Sequence, residues 1–322
     1  MAAFSRPSNR HIPLWIYKVM LVVAAAIWGL GTVVIKDTVD ALPPLILIGI
    51  RFTLAGLILT LFFIPRVIKH FNTEHLVAGV VLGIALALGY AFNSEGIAYT
   101  TASKSSFLTA TYCVLVPFIS WIIAKQRPHM HNLIAAILCI VGVWFVSMQA
   151  GTGFDLCLGD VLTLISAFFL GLHLALVSRL ANGRDMVVLT CFQFVVAGVV
   201  VGIIGLIFEP VPGLEVFDAN VMFNLFYLIV FASCLTLTLQ NVGLAHVAAA
   251  PASLLLATES IFGVVFSIVL LGDVMTSRLL IGFFFIGLAI VVSEVAPELK
   301  HKNTDATTTD AQVDIIKGSQ DS

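Results

Sequence analysis

Charge is scarce in this sequence. Lysine, arginine, aspartate and glutamate make up 11% of its 322 residues, whereas soluble proteins carry about 25%. Apolar residues make up 60%, and the net charge of −2 shows no basic or acidic surplus. This composition excludes a soluble globular protein, a nucleic-acid-binding protein and a disordered chain. It predicts an integral membrane protein whose main partner is the lipid bilayer.

The sequence also lacks the common motifs of enzymes and metal sites. No lysine follows a glycine, so the phosphate-binding loop GxxxxGK[ST] of ATPases is absent. The hydrolase motifs HExxH and GxSxG are absent as well, and no histidines and cysteines have metal-ligand spacing. The five cysteines form no CxxC pair, and we interpret them as small apolar residues. We therefore expect no enzymatic activity, no metal and no cofactor.

Long apolar runs are abundant. A bilayer core about 30 Å thick requires roughly 20 apolar residues per helix, and ten runs meet this requirement. Their residues are apolar on all faces and do not alternate as in the strands of a membrane β-barrel. We name them spans 1–10, at residues 16–35, 45–64, 76–93, 101–123, 132–149, 159–178, 186–208, 221–239, 247–271 and 279–295. The predicted fold class is an all-α polytopic membrane protein with ten transmembrane helices.

The distribution of lysine and arginine predicts the orientation. With a cytoplasmic N-terminus, twelve basic residues lie on the cytoplasmic side and only Lys36 and Arg278 on the other, which the positive-inside rule favours. Both termini are then cytoplasmic, and the short loops indicate the inner (cytoplasmic) membrane of a bacterium. Residues 1–15 are expected to be a cytoplasmic segment, because no signal-peptidase site follows them. Residues 296–322 are polar and are expected to be a disordered tail.

The sequence repeats with a period of 147 residues. Segment 96–126 aligns without a gap on segment 243–273, with eight identities in 31 positions, including Thr111 on Thr258. Span 4 thus aligns with span 9, which predicts two five-helix repeats at 16–149 and 150–295. An odd number of helices per repeat inverts the second repeat in the membrane, as is typical of secondary transporters with a central site. A duplication that merely enlarges a helix bundle is the alternative.

Several short motifs carry a family resemblance. These are Trp28-Gly29, Arg51-Phe52, the stretch ASKSSFLTATYCVLVP with Pro117, and PASLLLATES followed by LLGD. In this order and spacing, over residues 20–295, the sequence resembles EamA-type carriers of the drug/metabolite transporter superfamily. The resemblance implies ten helices around a central cavity, with spans 5 and 10 outside it, and export of metabolites or drugs. The family usually has glutamate where this chain has Asp273, a shorter acid with the same charge.

Glu259 is the most informative polar residue inside a span. Charge at the bilayer centre costs roughly 2.5–3.5 kcal/mol on insertion scales, and Glu259 is the thirteenth residue of span 9, which contains no basic residue. Desolvation favours the neutral carboxyl, which suits a proton-coupling group or a contact for a cationic substrate. A structural, hydrogen-bonded carboxyl is the alternative. Tyr112 occupies the equivalent position in span 4, next to Thr111, so we expect all three near a cavity between the repeats.

Two basic residues also lie within spans. Arg51 in span 2 is expected to be a structural charge paired with a carboxylate such as Asp37, Asp40 or Glu259; binding of an anionic group is the alternative. Lys104, near the start of span 4, either contacts a carboxylate or phosphate of the substrate or extends outwards to the interface.

Three further residues are cavity candidates with a structural alternative. Trp28, deep in span 1, is either an aromatic wall of the cavity or a packing residue. His173 in span 6 is either a proton relay or a hydrogen-bonded core residue. Asn93, at the predicted end of span 3, is a cavity residue or a helix cap.

These features together predict a secondary active transporter. Its expected substrates are small metabolites such as amino acids, or drugs, moved by alternating access with protons as a candidate coupling ion. The resemblance favours export. A lipid-carrier flippase and a membrane-embedded enzyme are the alternatives, and the sequence is compatible with a monomer or a homodimer.

Overall fold

The computed structural model describes residues 13–125, 127–149, 153–154, 157–180, 183–244, 246–247 and 255–293. Most of the N-terminal segment, the predicted start of span 9 and the C-terminal tail lie outside these residues. Six spans are single helices: Leu14–Val39 (span 1), Pro44–Phe62 (span 2), Thr73–Ala98 (span 3), Met130–Ser147 (span 5), Leu158–Leu180 (span 6) and Met186–Phe208 (span 7).

The other spans are interrupted or shorter. Span 4 consists of the helices Ala102–Ala110 and Tyr112–Ala124. Span 8 is a helix Ala219–Phe226, a π-helix Tyr227–Leu235 and a helix Thr236–Leu244. Span 9 is described from Leu255, with the helix Glu259–Phe266 and the π-helix Ser267–Leu271, and span 10 is Ser277–Ser293.

Short elements connect the spans. A helix Ile64–His70 follows span 2, and a 3-10 helix Leu214–Val216 precedes span 8. Between spans 5 and 6 the two-residue strands Met148–Gln149 and Gly153–Phe154 pair antiparallel. We call the end of the bundle where span 1 begins the near end, and the opposite end the far end.

The length and composition of the helices suit a bilayer. Spans 1–4 and 6–8, each taken as a whole, are long and apolar enough to cross a membrane, and three shorter apolar helices correspond to spans 5, 9 and 10. Large apolar side chains such as Phe62, Ile122 and Phe208 are exposed on the outside of the bundle, where lipid replaces water. Helices suit this environment because they bond their backbone polar groups internally. The chain is an all-α, multi-pass membrane protein.

The packing of the spans follows a two-fold pattern in which spans 1–5 exchange with spans 6–10. Span 2 packs on span 7, span 4 on span 9, and span 5 on span 10. Span 3 packs on spans 6 and 7, and correspondingly span 8 packs on spans 1 and 2. The fold is therefore two inverted five-helix repeats, with the pair of spans 5 and 10 at the side of the bundle.

The start of span 2 depends on the second repeat. Pro43 and Pro44 begin this helix, and no side chain of its own caps it. Instead both carboxylate oxygens of Glu209, at the end of span 7, accept hydrogen bonds from the backbone nitrogens of Leu45 and Ile46 at 2.9 Å. A carboxylate at a helix N-terminus satisfies free N–H groups and opposes the helix dipole, so this contact joins the two repeats at the far end.

One predicted boundary needs correction. Span 3 continues to Ala98, five residues beyond the predicted end at Asn93. The polar residues Asn93, Ser94 and Glu95 lowered the apolar signal there, but tertiary contacts keep the helix intact. Asn93 is therefore buried inside a helix and is not its cap.

Candidate functional site

Spans 4 and 9 each contain a tightened turn, here called a helix break, at equivalent threonines, where the backbone keeps right-handed helical angles. Thr111 separates the two helices of span 4, and Thr258 is a turn residue in span 9. In each, the threonine hydroxyl donates to the carbonyl three residues earlier, Leu108 at 2.7 Å and Leu255 at 2.5 Å. Each backbone nitrogen donates to the same carbonyl, at 3.2 and 3.3 Å. Such i→i−3 bonding tightens the turn, so the helix is interrupted at matching points of the two repeats.

A small cavity lies between these two breaks. Its volume is about 10 Å³, room for about one water molecule. The residues lining it come from spans 4 and 9 only: Ser106, Thr109, Ala110, Tyr112, Ala257, Glu259 and Ser260. The structure thus brings Glu259 and Tyr112 to one cavity, directly after the two helix breaks, whereas Thr111 is buried and does not line the cavity.

Glycines bring the spans close together around Glu259. A Cβ atom on Gly29 of span 1 would lie 2.7 Å from the backbone nitrogen of Gly263 and 2.8 Å from the backbone oxygen of Glu259. A Cβ atom on Gly263 would overlap the side chain of Ser106. Small residues allow such contact between helices in a membrane. Spans 1, 4 and 9 therefore meet at the cavity.

The cavity contains polar groups without partners. The Ser106 hydroxyl is buried and has no hydrogen-bond partner among the described residues. The half-buried Glu259 makes no side-chain hydrogen bond within the described part of the chain, and it interacts electrostatically with Arg51 and Tyr90. Buried polar groups are normally bonded, so the Ser106 hydroxyl can accept a ligand contact, and the Glu259 carboxyl beside it has no hydrogen-bond partner to displace in the segments that the structure describes.

Arg51 is buried on the neighbouring span 2. Its Nε donates to Ser233 Oγ at 3.0 Å and its Nη2 to the Ala232 carbonyl at 3.3 Å. The guanidinium carbon also lies 5.1 Å from the ring centre of Phe52 and 5.2 Å from that of Tyr90, within cation–π range. Arg51 is thus bonded to the π-helical part of span 8, and the carboxyl that it interacts with electrostatically is Glu259.

Trp28 contacts the same point of span 8. Its indole nitrogen donates to the Ala232 carbonyl at 2.9 Å, the oxygen that also accepts from Arg51. Ala232 lies in the π-helix Tyr227–Leu235, and π-helical segments frequently occur at functional sites. Trp28 is half-buried and packs between two core clusters. It therefore supports the wall beside Arg51 and does not line the cavity at Glu259.

Asn93 lies behind the cavity wall. Its amide nitrogen donates to Thr109 Oγ1 at 2.9 Å, and Thr109 lines the cavity. The amide therefore orients a hydroxyl of the site from span 3.

Comparison with known proteins identifies the family. The model of the EamA-like transporter family matches residues 15–148 and again residues 157–294, which together are most of the chain and follow the two repeats. The chain belongs to the EamA-like transporter family. It is a multi-pass membrane transporter.

Individual relatives agree with this assignment. This EamA-like transporter is 30% identical over 274 residues to an uncharacterized transporter of Archaeoglobus fulgidus, covering 84% of this chain and 83% of the relative. It is 24% identical over 204 residues to the uncharacterized transporter YoaV of Bacillus subtilis, covering 62% and 70%. A solved crystal structure matches with a TM-score of 0.62 over 88% of this chain and 97% of the other at 14% identity; this match shows the fold alone.

Lys104 of the EamA-like transporter lies away from the cavity. Its Nζ is 3.4 Å from Asp160 Oδ2, and Asp160, fully buried at the start of span 6, also accepts from Thr100 Oγ1 at 2.8 Å. Eight residues of helix, about 12 Å, separate Lys104 from Tyr112. The side chain joins the two repeats near the far end, an arrangement that neither sequence interpretation included.

His173 has a partner in the neighbouring span. A hydrogen bond of 2.8 Å links its Nε2 to Oε1 of Gln193 in span 7. His173 does not line the cavity between spans 4 and 9. This geometry favours the interpretation of a hydrogen-bonded core residue.

The sequence singled out Asp273 by its resemblance to the family, but it predicted neither the contacts of Asp273 nor those of Asp160 between the repeats. Asp273 accepts hydrogen bonds from the backbone nitrogen and hydroxyl of Ser103, at 3.1 and 2.8 Å, and from the Ser267 hydroxyl. Asp160 and Asp273 both lie at ends of spans, where a single sequence shows an ordinary interfacial charge. Tyr90, beside Arg51, was also missed, because a tyrosine in an apolar run looks like a packing residue.

Metal-binding geometry is missing from the described residues. In these parts of the chain no three histidine, cysteine, aspartate or glutamate side chains come together as metal ligands would.

Proposed function

We propose that this EamA-like transporter is a secondary active exporter of small metabolites such as amino acids, or of drugs, that works by alternating access. The cavity between spans 4 and 9 is its substrate site, and Glu259 is its proton-coupling group. The proposal is carried by one observation: a carboxyl and a tyrosine follow matching helix breaks in two inverted repeats. A tightened turn inside a helix often marks a functional hinge, and the sites of transporters with inverted repeats lie at the interface between the repeats.

The size of the cavity supports alternating access. Sites for small molecules usually measure about 300–1,000 Å³, whereas this cavity measures about 10 Å³. A metabolite does not fit into a cavity of this size, so we expect spans 4 and 9 to separate during transport. Separation at one end of the bundle and then at the other is the motion that inverted repeats allow.

In this proposal Arg51 is a fixed positive charge and Glu259 is the group that gains and loses a proton. The guanidinium, held by Ser233 and Ala232, is a fixed structural charge that favours the ionised carboxyl. Burial favours the protonated carboxyl. The carboxyl can then exchange a proton for the ammonium group of a substrate, and Ser106 and Tyr112 are placed to contact the rest of the substrate.

The orientation follows from the basic residues. We infer that the near end is cytoplasmic, because the loops at that end contain Arg66, Lys69, Lys125 and Arg127 and basic loops remain in the cytoplasm. Both termini are then cytoplasmic in a bacterial inner membrane. The cavity is formed within one chain, so a monomer suffices for transport.

Transport by purified protein in liposomes tests the role of Glu259. We expect Glu259→Gln to fold but to lose the uptake or efflux that a pH gradient drives, because a glutamine side chain does not exchange protons. Glu215→Gln is the matched control, since Glu215 is exposed in the loop before span 8. Transport that still responds to the pH gradient in Glu259→Gln would exclude Glu259 as the coupling group.

A thermal-shift screen identifies the substrate class. Amino acids, polyamines, nucleosides and cationic drugs are each added to the detergent-purified protein at two pH values. A ligand at 100 times its Kd stabilises the fold by about 2.7 kcal/mol. We expect a pH-dependent hit that Glu259→Gln abolishes. Stabilisation by lipid-linked compounds alone would instead support a lipid-carrier flippase.

A further inference from the structure

A second and larger concave site lies at the near end of the bundle. It is a groove of about 520 Å³ between the start of span 3 and the ends of spans 4 and 6. Its lining residues are Thr73, Glu74, Val77, Ala78, Val81, Ile123, Leu176, Arg179, Leu180 and Arg184. None of them lines the cavity at Glu259, so the groove is a separate feature from the proposed transport site.

Most of the groove wall is apolar and faces outwards. Val77 and Val81 of span 3 are 56% and 38% exposed, on the side of the helix that faces the groove and the surrounding lipid. Leu176 and Leu180 form the opposite wall from span 6. A wall of this composition at the surface of a membrane helix bundle suits a hydrocarbon chain.

Two arginines stand at the polar rim of this wall. Nη1 of Arg179 donates to the Ile123 carbonyl at 2.9 Å. Nη1 of Arg184 donates to the Leu180 carbonyl at 2.9 Å, and its Nε is buried without a hydrogen-bond partner among the described residues. Both guanidinium groups therefore have donors left for an anion.

The acid in the groove does not neutralise these arginines. Glu74 Oε2 is 3.5 Å from Arg184 Nη2, but the Glu74 side chain is 78% exposed, and such ion pairs at the surface contribute little. The neighbouring loops add Lys125 and Arg127, both exposed. The rim of the groove is thus positively charged, above an apolar wall.

We propose that this groove binds an anionic phospholipid of the adjacent leaflet. The phosphate is bound by Arg179 and Arg184, and one acyl chain lies along Val77, Val81 and Leu176. Basic pockets between transmembrane helices on the cytoplasmic side are suited to anionic headgroups, and guanidinium groups bind phosphate through paired hydrogen bonds. The charge selects the headgroup, and the apolar wall selects a lipid over a soluble anion.

Native mass spectrometry and thermal shift of the detergent-purified protein test this inference. Phosphatidylglycerol is titrated against phosphatidylcholine of the same acyl chains and against inorganic phosphate. We expect saturable binding and stabilisation by phosphatidylglycerol alone. Arg184→Gln and Arg179→Gln should each weaken this binding about tenfold, the effect of losing a hydrogen bond to a charged group.

Two further variants test the charge and the apolar wall separately. Lys18→Gln removes the same charge from an exposed position of span 1 at the same end, outside the groove, and it should leave the affinity unchanged. Val77→Trp fills the exposed wall without touching an arginine, and it should also weaken binding, even if Arg184→Gln does not fold.

Three results would overturn the proposal. Equal binding of both lipids would mean that the arginines do not select the headgroup. Equal stabilisation by inorganic phosphate would make the groove a site for soluble anions. Groove variants that keep phosphatidylglycerol affinity but weaken substrate affinity would assign the groove to substrate entry.

Discussion

Asp160 is a fully buried carboxylate whose charge is balanced by Lys104. Removing one partner of a buried ion pair leaves the other charge uncompensated and costs about 3–5 kcal/mol. We expect Lys104→Ala to destabilise the protein by an amount near the lower end of this range. Adding Asp160→Asn should restore most of the loss, because asparagine is neutral and still accepts from Thr100. Unfolding of the two single variants and the double variant in detergent gives the coupling energy directly.

The same variants also test the two roles that the sequence suggested for Lys104, a substrate contact and a side chain that extends to the interface. A substrate contact would leave stability unchanged in Lys104→Ala and would weaken carboxylate-bearing substrates selectively. A lysine that only reaches the interface would change neither quantity.

Gly29 is a residue through which span 1 packs closely on the backbone of span 9 beside Glu259. An added methyl group would lie 2.7–2.8 Å from backbone atoms of span 9, which cannot rotate away as a side chain can. Overpacking of this kind costs about 1–3 kcal/mol, so we expect Gly29→Ala to lower thermal stability. Gly287→Ala is the control, because nothing lies within 4 Å of its added methyl group. Equal stability of both variants would mean that spans 1 and 9 separate readily.

Sequence reasoning located some site residues and missed others for a physical reason. The period of 147 residues placed Glu259 and Tyr112 at equivalent positions, and the structure brings them to one cavity. A repeat relates residues within the chain, but it does not say which side chains from different spans face each other. The pairs Lys104–Asp160 and Arg51–Ser233 depend on how the helices rotate about their axes, and apolar runs without a polar face do not encode that rotation.

At the scale of elements, the number of spans was predictable and their interruptions were not. Length and apolarity alone define a transmembrane helix, so all ten runs correspond to helical segments in the described structure. The breaks at Thr111 and Thr258 each occupy one residue of an apolar run and leave the hydropathy unchanged. The alignment of these threonines was visible in the sequence, and its meaning became clear only with the hydrogen bonds.

The start of span 7 is an element whose stability depends on pH. Asp185 caps this helix by accepting from the backbone nitrogens of Val187 and Val188, and it pairs with Arg66 at the near end. Burial raises the pKa of Asp185, but the bonds from Arg66 and the two nitrogens outweigh it, so the pKa is lowered overall. The ionised Asp185 therefore stabilises the fold at pH values above its pKa in the unfolded chain, about 4. This stabilisation is lost as the pH falls through the lower pKa of the folded protein.

Asp185→Asn should therefore be less stable than the parent protein at neutral pH. The difference should shrink below about pH 4, where the aspartate also becomes neutral. Thermal unfolding of both proteins at pH values from about 3 to about 7, on either side of the aspartate pKa, measures this difference in stability. A difference that stays constant with pH would mean that the carboxylate charge contributes nothing.

In the molecule as a whole, polar contacts join the two repeats at both ends: Arg66–Asp185 lies at the near end, and three contacts lie at the far end. Lys104–Asp160, Ser103–Asp273 and Glu209 with the start of span 2 all join the first repeat to the second there. Each contact must break if the substrate is to leave through the far end. These contacts use charges and hydroxyls, which water can replace when the repeats separate. Two states of similar energy are what alternating access requires.

Cross-linking the far end tests this motion. Ser103 and Asp273 are in hydrogen-bond contact, so Ser103→Cys and Asp273→Cys in a chain without its five native cysteines should form a disulfide on oxidation. If the repeats rock about the cavity, oxidation stops transport in liposomes and a reducing agent restores it, while substrate binding from the near end remains. Each single cysteine variant controls for the effect of oxidation itself and for the loss of Asp273. Undiminished transport by the cross-linked protein would show that the substrate does not pass between spans 4 and 9 at the far end, and the alternating-access proposal would then be wrong.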